Sequence, residues 1–135
     1  MIGVALVALG AVAGPLSPLR WRHRVLVVHD AGGTAPWLED QLAQLRAARA
    51  ANVARELVVL VCRDGTCRVD EASGLAFPGL QLDAWLLQRS LRLQAPGLVF
   101  VGKDGQVKAQ RGELTPPAMM HAFIDTLPMR QGEMR

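Results

Sequence analysis

Cys62 and Cys67 are the two cysteines of the chain, and the stretch between them, Arg63-Asp64-Gly65-Thr66, is suited to bringing them together. Asp-Gly favours the left-handed backbone of a two-residue type I′ hairpin turn. With Asp64 and Gly65 as the loop, Arg63 pairs with Thr66 and Cys62 falls opposite Cys67 at a non-hydrogen-bonded position. The α-carbons of such a pair lie about 4.5 Å apart, at the short end of the disulfide range. Four fates are open to these residues: a structural bridge, free thiols, a redox-active pair, or a metal site completed by a histidine. A bridge across so short a loop removes only about 2 kcal/mol of chain entropy. Reactivity needs a thiolate stabilised by a helix N-terminus or a cation. These cysteines end a strand and enter a turn, with Arg63 and Arg68 as the nearby cations.

A second group of candidates is His29-Asp30-Ala31-Gly32-Gly33-Thr34, directly after an apolar run. A His-Asp pair can do acid–base work. Backbone N–H groups of Gly32, Gly33 and Thr34 at a helix start can receive an anion, and ligands in α/β sheets bind beyond the carboxyl ends of strands. The same residues also make an ordinary turn, and two glycines are too little to define a phosphate loop. His23 and His121 have no partner at ligand spacing and are expected at the surface or half-buried. Trp21 is expected to pack at the entrance of the domain. Met119, Met120, Met129 and Met134 read as core filling and tail contacts rather than soft-metal ligands. No metal or cofactor is expected.

These residues must be placed by a chain of 135 residues, half of them apolar and a fifth charged. That is one domain, large enough for a hydrophobic core that does not depend on disulfides. With three Phe, three Trp and no Tyr, the core is built mainly from Leu, Val and Ala. The net charge of +3 comes from arginines scattered along the chain. Nucleic-acid binders concentrate such charge and interleave aromatics, so no nucleic acid is expected.

No charge precedes Arg20, and residues 2–13 are continuously apolar. This run has the length of a signal-peptide core and is too short to span a bilayer. Ala11-Val12-Ala13 supplies a cleavage pattern, although no Lys or Arg precedes the run. The expected organisation is a signal peptide over 1–13, a lead-in over 14–23, a domain over 24–127 and a tail over 128–135. Export, with a periplasmic location, is the expectation; an uncleaved anchor or a buried N-terminal segment are the alternatives.

Residues 24–29 and 56–62 are apolar, β-branched runs of the kind that form buried strands. Between them Thr34 is expected to cap a helix with Pro36 in its first turn. Leu38, Leu42 and Leu45 form its apolar stripe, with Glu39, Asp40, Arg46 and Arg49 outside. Two such strands joined by a helix predict a parallel βαβ unit. Residues 68–82 read as a loop. Asp83 caps a short helix carrying Trp85, Leu86, Leu87 and Leu91. Residues 97–102 form a third strand, and Asp104-Gly105 predicts a two-residue hairpin into 106–110. Thr115-Pro116-Pro117 starts a last helix with Met120, Phe123, Ile124 and Leu127 on one face, stopped by Pro128.

The order βαβ, α, ββα, with a proline, strand, hairpin and helix over 95–127, resembles the thioredoxin fold over residues 24–127. More closely, RWRHRVLVV at 20–28, QLAQLRAARA at 41–50, FVGKDGQVK at 100–108 and PMRQ-x-EM at 128–134 resemble one family. This is the bacterial domain of unknown function 4174 family (DUF4174), thioredoxin-like and related to domains in equarin and sushi-repeat extracellular proteins. The resemblance implies a three-layer α/β sandwich with a central mixed sheet and carries no set of catalytic residues. It also implies that Pro96 corresponds to the thioredoxin cis-proline, while the Cys-x-x-Cys position falls on His29–Thr34, which has no sulfur. The expected function is a non-catalytic binding or accessory module of the cell envelope. Its groove, around His29, Asp30, Gly32, Gly33, Thr34 and Pro96, would take an extended peptide or an envelope protein. The alternative is a thiol–disulfide or peroxide-handling oxidoreductase using Cys62 and Cys67.

Overall fold

The computed structural model describes residues 14–33, 35–74, 80, 82–93 and 96–135. The expected signal peptide over 1–13, the Thr34 cap and the Ala95–Pro96 bond fall outside the described residues. Five strands form one mixed sheet: β1 (Arg24–Asp30), β2 (Leu57–Arg63), β3 (Thr66–Val69), β4 (Gly97–Val101) and β5 (Val107–Arg111). Their order is β3-β2-β1-β4-β5. β1 and β2 run parallel, and the other neighbouring pairs are antiparallel. This is the expected βαβ unit with a hairpin added at each edge.

Side chains alternate across a strand, so the apolar runs of β1 and β2 feed two cores. Val25, Val27, Val58 and Leu60 pack on one face with Leu16, Leu19, Leu87 and Leu91. Leu26, Val28, Val59 and Val61 pack on the other with Leu38, Leu42, Leu45 and Ile124. The first face is covered by the N-terminal lead-in and α3 (Ala84–Leu91). The second is covered by α1 (Trp37–Ala47) and α4 (Pro117–Asp125). The result is a three-layer α/β architecture consistent with a thioredoxin-like sandwich.

Several local expectations differ from the structure for identifiable reasons. The helix read through Arg49 ends at Ala47, and α2 (Arg49–Ala54) follows. Buried Asn52 stabilises this break, its Nδ2 donating to the carbonyls of Leu45 and Ala72 at 3.0 Å each. The expected loop from 68 begins later, because β3 extends to Val69 as an edge strand. At the β4–β5 turn, Gly102 N–H donates to the Gln106 carbonyl at 2.9 Å, which leaves three loop residues rather than two. Gly105 alone takes the left-handed conformation (φ 82°), while Asp104 accepts from the Gln106 N–H and from Lys108. Trp21 does not pack the entrance. It is 58% exposed, with the Arg20 guanidinium over its ring at 4.9 Å. His121 is buried, its Nε2 2.7 Å from Asn52 Oδ1.

The largest difference is the C-terminus, where the expected tail forms a helix, α5 (Pro128–Glu133). Pro128 begins this helix as well as stopping the previous one, because a missing N–H costs nothing in a first turn. Arg24 is 1% exposed at the start of β1 and donates to both Glu133 oxygens at 3.1 and 3.0 Å. Lys103 Nζ reaches Glu133 Oε2 at 2.7 Å and Glu56 at 3.0 Å. Arg55 and Arg130 converge on Asp125, and Gln131 donates to the Asp125 carbonyl. Hydrogen bonds from Arg24 and Lys103 hold the Glu133 carboxyl down at about 2, against the opposing effect of burial. The RWRHR start, the KDG turn and the PMRQ-x-EM ending thus meet in one ion-pair cluster at the amino end of β1.

Candidate functional site

At the opposite, carboxyl end of the two parallel strands, four residues line up across the sheet. Cys67 on β3 pairs with Cys62 on β2, Cys62 is in register with His29 on β1, and His29 pairs with Gly97 on β4. His29 lies two and four positions from Val27 and Val25, so it shares their face, and Cys62 belongs to the same core. Adjacent strands are about 4.8 Å apart, which sets the imidazole beside the cysteine pair.

The pair itself follows from its turn. Asp64 and Gly65 take φ values of 51° and 77°, the two left-handed residues of a type I′ loop. Cys62 and Cys67 are joined by a disulfide with their α-carbons 4.1 Å apart. Cys62 is nearly buried, whereas Cys67 is partly open to solvent.

Gly97 makes room for the imidazole. A Cβ there would stand 2.6 Å from the Arg111 carbonyl oxygen and 3.4 Å from His29 Nε2. The first contact is with backbone that cannot swing aside. His29 is 8% exposed, and its imidazole makes no hydrogen bond among the described residues. Burial disfavours its imidazolium and lowers its pKa, partly opposed by the charge of Asp30. A neutral imidazole is therefore held beside the disulfide at pH 7.

These groups open onto a cleft of about 80 Å³ lined by His29, Gly32, Cys62, Cys67, Gln88 and Pro96, among others. Organic ligand and cofactor pockets are typically about 300–1,000 Å³. This one has room for a side chain, such as the end of a cysteine, rather than for a prosthetic group. The sequence treated the cysteines and the His29 region as separate sites, and the structure brings them into one. The parity of β1 and β2 already puts His29 and Cys62 on the same kind of face. What the sequence lacks is the register between strands that are far apart in the chain.

Other members of the expected groove do different work. His29 and Asp30 are successive strand residues and point to opposite faces, so they do not form an acid–base pair. Asp30 is buried under α1; its Oδ2 accepts from Ala35 N–H at 2.8 Å and its carbonyl from Gly33 N–H at 3.1 Å. Of the donors expected to receive an anion, Gly33 N–H is thus already taken by the Asp30 backbone carbonyl, and the Asp30 carboxylate takes the next N–H described, that of Ala35. Gly33 supplies a left-handed turn residue (φ 65°). Gly32 and Pro96 do line the cleft. Among the described residues, no group of three or more His, Cys, Asp or Glu side chains could hold a metal ion.

A mixed-sheet α/β sandwich with a cleft at the carboxyl ends of its parallel strands, walled by a cross-strand disulfide, defines the class of this protein. The chain belongs to the family described as domain of unknown function (DUF4174), which matches residues 15–133. The match takes in both ends of the ion-pair cluster and the whole of the cleft. No curated protein is significantly similar to the chain. Among the described residues, no helix is long and apolar enough to cross a membrane.

Proposed function

We propose that this protein is an exported thiol–disulfide exchange module of the cell envelope, with Cys62 and Cys67 as the exchanging pair. The observation that carries this reading is the row Cys67–Cys62–His29 opening onto one cleft of side-chain size. An entering thiol gives its proton to the neutral His29 imidazole, and its thiolate attacks the accessible sulfur, Cys67 Sγ. The Cys62–Cys67 bond breaks, a mixed disulfide forms on Cys67, and Cys62 leaves as a thiolate that recovers the proton from His29. A second thiol attacks the mixed disulfide and frees Cys67. In balance, two thiols become one disulfide and the Cys62–Cys67 bridge becomes two thiols.

A binding or accessory module, in which the bridge only shapes the groove, is the second reading. Arg63, the cation next to Cys62, favours it, because its guanidinium is committed to Glu39 at 2.6 Å and does not stabilise a thiolate. One experiment separates the two. The native oxidised protein is treated with dithiothreitol, the two new thiols are counted by alkylation, and turnover is followed with insulin as acceptor. Exchange predicts reduction without unfolding and turnover lost in Cys62→Ser and Cys67→Ser. A bridge that resists reduction until the protein unfolds supports the binding module.

A further inference from the structure

The face of the sheet opposite the disulfide cleft carries a pocket of its own. Its floor is two rows of paired residues, Leu26 with Phe100 and Ala109, then Leu98 with Arg111. Met119, Met120 and Phe123 on α4 form the roof, and the space between is about 190 Å³. Room exists because Ala109 is the small member of its row. Met119 and Phe123 are 51% and 38% exposed, so apolar surface continues out to the mouth, a pattern that marks binding sites. Two lining residues carry polar side chains, Thr115 and Arg111. Thr115 is fully engaged inside the protein: its N–H donates to Gln41 Oε1 at 2.8 Å, its carbonyl accepts from Gln41 Nε2 at 2.9 Å and its Oγ1 donates to the Glu113 carbonyl at 3.1 Å. Arg111 is the one charge among the described lining residues. Its partner, Glu113 at 3.1 Å, has a side chain 74% exposed, and such a pair has little strength in water.

We infer that this pocket binds a small amphipathic acid, an aliphatic chain or ring of about six to eight carbons ending in a carboxylate. An apolar cavity of about 150 Å³ holds benzene, so the space under α4 admits a slightly larger apolar group. The guanidinium fork matches a carboxylate, and Glu113 shows the fit: the ligand's carboxylate takes the place that Glu113 now holds on Arg111. A peptide strand added to β5 suits the site less well. β5 is an edge strand, but its pairing with β4 is irregular beside Ala109, and Lys108 and Arg111 charge it. Irregular pairing and charge both blunt an edge against further strands. The pocket lies across the sheet from His29 and Cys62, so the inference stands apart from the exchange reading.

The test titrates octanoate and 1-octanol, below the concentrations at which they aggregate, into the full chain labelled with ¹³C at its methionine methyls. The expected result is a saturable shift of the Met119 and Met120 methyls with octanoate, while Met134, outside the pocket, stays in place. Ala109→Leu takes the room of about two buried carbons and should weaken both ligands by over about tenfold. Arg111→Gln should weaken octanoate by about threefold to fivefold, the worth of one exposed ion pair, and leave 1-octanol within about twofold. Should Ala109→Leu fail to fold, the Arg111→Gln comparison decides. No saturable shift at Met119 and Met120 overturns the inference, as do shifts of Met134 in equal measure, which mean adsorption of a surfactant. Octanoate and 1-octanol affinities that respond alike to Arg111→Gln overturn the carboxylate. Saturation of the same methyls by N-acetylphenylalanine amide, without saturation by octanoate, gives the pocket to a protein side chain and also overturns it.

Discussion

Replacing Glu133 by alanine should be among the most damaging single changes in this protein, although the residue lies two positions from the C-terminus. Glu133 accepts two hydrogen bonds from Arg24 and one from Lys103, and those cations are only 1% and 7% exposed. Removing the carboxylate leaves both cations buried, Arg24 keeping the Arg55 carbonyl and Lys103 keeping Glu56. Breaking a buried pair in this way costs about 3–5 kcal/mol. The Glu133 side chain is 23% accessible, so water can enter the vacated space and the lower figure, about 3 kcal/mol, applies. With an unfolding entropy of about 2.1 cal/mol/K per residue, a chain of 135 residues loses about 11 °C of Tm. Thermal and urea denaturation measure this directly, with Met134→Ala, an exposed neighbour, expected to change stability by less than about 0.5 kcal/mol. The double variant Arg24→Met/Glu133→Ala should be more stable than additivity predicts by over about 1 kcal/mol, since it removes the stranded charge. The pH dependence has a definite sign. The Glu133 pKa is lowered from 4.5 to about 2, so its contribution is complete above 4.5 and fades as the pH falls toward 2. The stability curves of wild type and Glu133→Ala should therefore converge across that window. A Glu133→Ala protein within about 0.5 kcal/mol of wild type at pH 7 would refute the role given to the cluster.

Other outcomes follow from the cleft and the core. His29→Gln should slow reduction of the bridge by about tenfold to a hundredfold and flatten the pH profile of the rate in the range where imidazole titrates; an unchanged profile would remove His29 from the reaction. Cys62→Ser/Cys67→Ser should fold and lose at most about 2 kcal/mol in urea denaturation, the chain entropy of so short a loop; failure to fold would make the bridge structural. Gly97→Ala should lower stability by about 1–3 kcal/mol, because its Cβ meets the Arg111 carbonyl at 2.6 Å. His23, His29 and His121 all have pKa values lowered chiefly by burial. The unfolded state thus binds more protons near pH 6, and the urea midpoint should fall as pH drops below about 6.5; an equal midpoint at pH 7.5 and 5.5 would contradict this.

What the sequence made legible was what depends on neighbours along the chain. The Asp64-Gly65 turn and the pairing of Cys62 with Cys67 came from two residues whose backbone preference is strong. The Leu38, Leu42 and Leu45 stripe came from helical period, and the cap at Asp83, which accepts from Leu86 N–H at 3.0 Å, from side-chain chemistry. The site itself was less legible because it is made across strands. Nothing local states that β1 and β2 align so that His29 falls at Cys62, or that β4 brings Gly97 under the imidazole. The same holds for α5: Pro128–Glu133 has no apolar stripe, and its helix depends on Arg24 and Lys103, distant in the chain. The opposite faces of His29 and Asp30 were available from the strand period alone, once β1 is seen to continue through Asp30 rather than stop at His29.

The proposed function requires that the bridge in the cleft exchange with thiols while the protein stays folded. Its most direct measurement is the reduction potential of Cys62–Cys67, taken by equilibrating the native protein with glutathione redox buffers and trapping the thiols. The expected value lies among exchange-active pairs, between about −270 and −120 mV, with native tertiary structure in both states. A potential below about −300 mV, or reduction only on unfolding, would contradict it and leave the disulfide as a structural clasp.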